Sequence, residues 1–289
     1  MFARKSFFSK EIALSPYLLF AISSTLAFIY FGLILKTGKY SFLAMAVVFL
    51  LGASAIAWDK KNKIKLGSDV FSSGLGFCAI AFTLVFGAFI SRDLFFGFAP
   101  LGFVLGIALL ASGILRLKQY REELIILFVL GIPKILLPLL PDISPITAKF
   151  SSFLLWYGGL DVVLQGQYIL LPKGAVEVVP SCSGLNLIVY MLGLSVLFLV
   201  MFPISRKQII KIISPIAAGV IGFCVNAVRV AILALLSGDS SHDAFEYWHS
   251  QEGALIFVTI SVVIYGLFCL SLLNLYLPKN QNSSLKNTK

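Results

Sequence analysis

The sequence predicts an all-α polytopic membrane protein with about eight spanning helices, an interfacial amphipathic helix on the outer side and a short extended hairpin. Three observations carry this. Of 289 residues, 59% are hydrophobic and only 12% charged, about half the share of roughly 25% that coats an ordinary soluble domain. The apolar residues form continuous runs of about the 20 residues a bilayer demands. The net charge of +10 is spread over short basic segments between those runs. Such hydrophobicity excludes a disordered chain, and runs that separate the basic residues exclude a nucleic-acid binder. A β-barrel would alternate polar and apolar residues over short strands instead.

The first run, residues 16–35, follows Arg4, Lys5 and Lys10. It is too long for a secretion signal and lacks a small-residue cleavage site, so it reads as a retained helix. Runs 41–58, 70–90 and 94–115 follow. Run 122–141 is the least regular because it carries Lys134, Pro133 and Pro138. Kinks of this kind are tolerated where neighbouring helices satisfy the freed backbone groups. Runs 183–202, 212–236 and 254–277 complete the set, and the polar tail 278–289 reads as a disordered cytoplasmic end. No internal repeat is visible, so residues 1–289 read as one transmembrane domain.

Lys and Arg positions orient the chain. With the N-terminus inside, the inner segments hold 16 of the 23 basic residues and the outer half holds seven. Counting acidic residues too, the inner side carries +11 and the outer −1. Both termini are then cytoplasmic, in the plasma (inner) membrane. The long connection 142–181 falls outside. Its part 146–164 mixes Phe150, Phe153, Trp156 and Tyr157 with Lys149 and Asp161, as expected of an amphipathic helix in the outer interface. Residues 168–179 read as a hairpin.

A few polar residues lie where packing gives them no purpose. Cys78, Cys224 and Cys269 fall within spans and read as small buried hydrophobes. Cys182 instead sits in Pro180-Ser181-Cys182-Ser183-Gly184-Leu185, where the outer loop becomes the sixth span. A cap at Ser181 or its neighbour places it in the first helical turn, where a thiolate is stabilised. Gly184 admits a close neighbour. Arg229 lies inside an apolar run, costly in a span and a functional candidate, with Asn226 three residues earlier on the same face. His242 and His249 fall in the last outer turn among Asp239, Asp243, Glu246 and Glu252. A solvated acidic turn accounts for His242, and no ligand pair of metal-binding spacing occurs.

Cys182, Arg229 and His249 come from three elements, yet the topology sends all three to the outer face. Acyl transfer needs this set: a thiolate nucleophile, an imidazole that moves protons and a fixed cation for the oxyanion. Two other readings use some of the same residues. A transporter or channel component would bind an anionic substrate through Arg229. A membrane thiol acyltransferase would load a lipid chain onto Cys182.

The motifs Pro-Ser-Cys182-Ser-Gly-Leu, Asn226-Ala-Val-Arg229 and His249-x-x-x-Gly253, on an eight-span frame, resemble the exosortase/archaeosortase family of membrane cysteine transpeptidases. The outer loop is most similar to the cyanobacterial members. The resemblance covers about residues 150–270. It implies Cys182 as nucleophile, Arg229 as transition-state stabiliser and His249 as general acid/base, with Asn226, Asn186, Ser183 and Gly184 in support. The implied partners are membrane-anchored proteins with a C-terminal sorting signal: a Pro-Glu-Pro-like motif, a span and a basic tail. Membrane lipid and an acceptor nucleophile complete the list, with no cofactor, metal or nucleic acid. The family's cysteine often follows Glu-Ala. Here Pro180-Ser181 precedes it and Glu177 lies five positions back, so Glu177 receives no role.

Overall fold

All eight apolar runs form helices in the computed structural model, which describes residues 11–12, 14–202, 208–238 and 242–276. Five of the helices are long and apolar enough to cross a membrane. The predicted tail 278–289, Asp239 and the basic residues Arg4, Lys5, Lys10, Arg206, Lys207, Lys279, Lys286 and Lys289 lie outside the described residues. The chain divides into two compact units, Met1–Leu139 and Leu140–Lys289.

In the first unit, a two-residue strand β1 (Glu11–Ile12) precedes α1 (Pro16–Leu35) and α2 (Tyr40–Asp59). It pairs antiparallel with β2 (Ser68–Asp69), which leads into α3 (Val70–Phe86). Pro16 opens α1, its ring fixing a helical φ at a position that needs no N–H. Asp69 caps α3, accepting bonds from the Ser72 amide at 3.1 Å and hydroxyl at 2.6 Å. α4 (Arg92–Ser112) packs on α3 at glycines: a Cβ on Gly76 would stand 2.7 Å from the Gly106 carbonyl oxygen. Small residues of this kind let helices approach closely in a membrane. Pro100 inside α4 cannot donate to the Phe96 carbonyl one turn earlier. The Tyr30 hydroxyl of α1 donates to that carbonyl instead, at 2.8 Å.

A 3₁₀ segment, Ile114–Tyr120, leads to α5 (Arg121–Leu136), which ends in a second one, Leu137–Leu139. The fifth run is therefore shorter as an α-helix than predicted: α5 continues through Pro133, and the α-helix gives way where Pro138 withholds a backbone donor. Lys60 reaches Glu122 at 2.9 Å and Glu123 at 3.2 Å, and Arg116 donates to the Leu66 and Gly67 carbonyls at 3.0 Å. Lys39 pairs with Asp93. The helix ends that charge alternation groups together are thus in contact.

The second unit opens on α6 (Ser144–Tyr157), introduced by Asp142, which accepts from the Ser144 amide at 2.9 Å and hydroxyl at 2.6 Å. The predicted helix 146–164 stops at Tyr157, where Gly158 and Gly159 break it. Val163–Gln165 forms strand β3 instead. The predicted hairpin is thereby part of a three-stranded antiparallel sheet with β4 (Tyr168–Leu171) and β5 (Gly174–Glu177). One sheet face packs on helices: Ile169 and Val178 are fully buried with Ala148 and Leu155 of α6 and with Val230, Ala231 and Ala234 of the later helix Gln208–Leu235. α6 buries Ser144, Thr147, Ala148, Ser151 and Ser152 and exposes Phe153, Trp156 and Tyr157. Its buried stripe is small and polar, and its aromatic face is turned away from the protein.

Helices α7 (Leu185–Met201), α8 (Gln208–Leu235), α9 (His242–His249) and α10 (Gln251–Tyr276) complete the unit. The predicted acidic turn is thus helical over α9. α8 and α10 share a buried bond between Ser214 and Tyr265 hydroxyls at 2.7 Å. Among the cysteines, Cys269 is buried as expected, but Cys224 is half-buried and Cys78 exposed, and all four are free. An apolar helix face turned outward in lipid leaves a thiol such as Cys78 uncovered by protein.

Candidate active site

β5 is followed by a tight turn in which the Cys182 amide donates to the Val179 carbonyl at 2.8 Å and Ser183 donates to Pro180 at 3.4 Å. Helix α7 starts only at Leu185, with Gly184 as its N-cap in the left-handed region, φ +88°. Cys182 therefore lies before the helix and not in its first turn. Ser181 does not cap: the Ser183 hydroxyl donates to Pro180 at 2.8 Å and accepts from the Leu185 amide at 3.4 Å. The expected helix-terminal stabilisation of the thiolate does not apply in the form predicted, because it acts within the first turn.

Side chains from two helices hold the turn. Asn226 of α8, only 4% exposed, donates to the Cys182 carbonyl at 2.9 Å. Fully buried Thr147 of α6 donates to the next carbonyl, Ser183, at 2.7 Å. Ser151 ties α6 to α8 by donating to the Ala227 carbonyl at 2.9 Å. Gly184 is required twice over: its φ is left-handed, and a Cβ there would stand 2.5 Å from Asn226 Nδ2. Thr147 and Ser151 were not among the sequence candidates. Their signal was the Ser/Thr spacing at 144, 147 and 151, a polar stripe inside a helix otherwise marked by its aromatic residues.

Arg229 lies one turn beyond Asn226 on α8. Its Nη2 donates to the His249 carbonyl at 3.1 Å and the Trp248 carbonyl at 3.4 Å. These are the last carbonyls of α9, where a cation is electrostatically favoured. The Arg229 Nε is buried without a hydrogen-bond partner among the described residues. His249 ends α9, its ring centroid 5.4 Å from that of Phe245. Its Nε2 stands 3.7 Å from Cys182 Sγ, across 67 residues of sequence. Cys182 is half-buried and His249 exposed, so the pair opens outward from the protein.

The structure thus gathers Cys182, His249, Arg229, Asn226, Ser183 and Gly184. Asn186 is exposed on α7, and His242 is exposed at the far end of α9 from His249. Glu177 faces Tyr168 across the β4–β5 pair. Its hydrogen bond and charge hold the Tyr168 hydroxyl above its ordinary pKa.

Fold and site define a polytopic helical membrane protein with a thiol and an imidazole in contact beside an arginine. The chain belongs to the transmembrane exosortase family, whose model matches residues 17–266. Membership makes it a multi-pass membrane transpeptidase or protease of the cysteine type, acting on proteins with sorting signals. Nothing matches among curated proteins or among solved structures.

Proposed function

We propose that the protein cleaves the C-terminal sorting signal of secreted proteins by a thioester mechanism and passes them to a surface nucleophile. Cys182 attacks the scissile carbonyl as its Sγ proton passes to His249, and the carbonyl oxygen becomes an oxyanion. Collapse breaks the C–N bond, with His249 returning the proton to the departing amine. An incoming nucleophile then gives a proton to His249, attacks the thioester and releases the Cys182 sulfur. Arg229 stabilises the oxyanion as a fixed cation, held by the bonds of its Nη2 to the end of α9. Asn226 and Thr147 hold the backbone that carries the thiol. The active site is at the outer membrane face, the termini are cytoplasmic, and the span and basic tail of a Pro-Glu-Pro-like signal lie in the inner membrane and cytoplasm.

The observation that carries this reading is the 3.7 Å approach of Cys182 Sγ and His249 Nε2, with Arg229 bonded to the same residue's carbonyl. The test is trapping with a tagged substrate that bears a Pro-containing motif, one span and a basic tail. The expected result is a hydroxylamine-sensitive adduct, absent from Cys182→Ala. Processing of the substrate by Cys182→Ala in cells would refute the mechanism.

A further inference from the structure

The edge of β5 runs into the active-site turn with its backbone unpaired. The register pairs Ile169 with Val176 and Leu171 with Gly174, and the Val178 amide donates to the Gln167 carbonyl at 3.0 Å. In an antiparallel ladder, alternate residues exchange hydrogen bonds with the partner strand. Gly174, Val176 and Val178 therefore bond towards β4. The N–H and C=O groups of Ala175 and Glu177 point the other way, and among the described residues nothing pairs with them. The side chains of Ala175 and Glu177 are also exposed. Continuing the alternation, the Val179 carbonyl turns to this same side, and it accepts the Cys182 amide at 2.8 Å. Cys182 thus closes the end of the lane that a fourth strand beside β5 would occupy.

The opposite edge differs. Ile169 is committed to β5, so β3 bonds inward through Val163 and Gln165. It offers only Leu164 outward, away from Cys182.

We propose that the substrate segment flanking the scissile bond docks by adding a fourth strand to the β5 edge, its backbone bonded to Ala175 and Glu177. This rests on the thioester reading of Cys182 and specifies how the same site takes its substrate. The occupant is an extended peptide, because a strand edge recognises alternate N–H and C=O groups and not a folded surface. Such a segment tolerates proline where its N–H would face away from β5, and excludes it at the alternate positions. Specificity then combines a backbone rule with the side chains that flank it.

Two measurements test this, both with a substrate that gives the Cys182 thioester. Ala175→Pro removes the outward donor and leaves the β4 ladder intact. It should slow processing at least about tenfold, while a small thiol reagent alkylates Cys182 at the native rate. Leu164→Pro should process normally. Native processing by Ala175→Pro overturns the proposal. If Ala175→Pro also loses alkylation, cross-linking decides, since it leaves the backbone unchanged. In a Cys182→Ala background, Ala175→Cys should form a disulfide with a substrate cysteine placed about four residues from the scissile bond, the strand spacing from Ala175 to the Val179 turn, and Leu164→Cys should not. Cross-linking from Leu164→Cys, or from neither position, overturns the proposal. Absence of any Cys182 thioester would instead count against the thioester reading itself.

Discussion

Replacing Gly184 by alanine tests whether the active-site turn is held by the contact between that glycine and Asn226. The new methyl would stand 2.5 Å from Asn226 Nδ2 and 2.6 Å from its Cγ. Relief requires Asn226 to withdraw from the Cys182 carbonyl, which it now meets at 2.9 Å. The left-handed backbone at φ +88° costs a residue with a Cβ about 1–2 kcal/mol. The lost hydrogen bond adds about 1 kcal/mol. Gly184→Ala should therefore destabilise by about 2–3 kcal/mol, and Asn226→Ala by about 1–2 kcal/mol through the unsatisfied carbonyl. The double variant should fall short of their sum by about 1 kcal/mol, because the shared bond is lost once. Denaturation in detergent gives the three stabilities, and alkylation of Cys182 reports whether the thiol has moved from His249. Additivity within about 0.5 kcal/mol would refute the argument.

Two further predictions concern other joints. Tyr30→Phe orphans the Phe96 carbonyl that Pro100 cannot serve, and should cost about 1–2 kcal/mol in detergent unfolding. Pro100→Ala restores a helical donor and should recover more than half of that loss. The carboxylates of Asp69 and Asp142 sit below their ordinary pKa because the Ser72 and Ser144 hydroxyls donate to them. Lowered folded values mean that their contribution is complete above the ordinary carboxylate range and lost as pH falls through the depressed values. Amide protection factors in the first turns of α3 and α6, taken against the intrinsic exchange rate at each pH, should fall with acid over that interval, and do so less in Asp69→Ala and Asp142→Ala, which have no such bond to lose.

Much was legible because membrane helices announce themselves by length and apolarity. α1 has the predicted bounds, and the other spans shift by a few residues at most ends. The errors have local causes. The expected helix 146–164 runs through Gly158 and Gly159 because the apolar residues Leu160, Val162, Val163 and Leu164 continue past the break. Ser181 resembles a cap and predicts Cys182 inside the helix, whereas the left-handed Gly184 delays the start to Leu185. α9 reads as an acidic turn in the sequence because its eight residues are too few for a span and carry Asp243 and Glu246. Thr147 carries no sequence signal of its role, because a hydroxyl that donates to a distant carbonyl leaves no pattern beyond the stripe it belongs to.

Sequence by itself determined the solvent, the runs of helix and the three chemically odd residues, because the cost of burying charge and backbone in lipid is written into composition. Tertiary structure decided which of them meet. The thiol and imidazole are 67 residues apart, and their approach depends on α6 and α8 clamping two carbonyls and on α9 ending against Arg229. Those contacts are set by packing between helices, which no periodicity within one helix encodes.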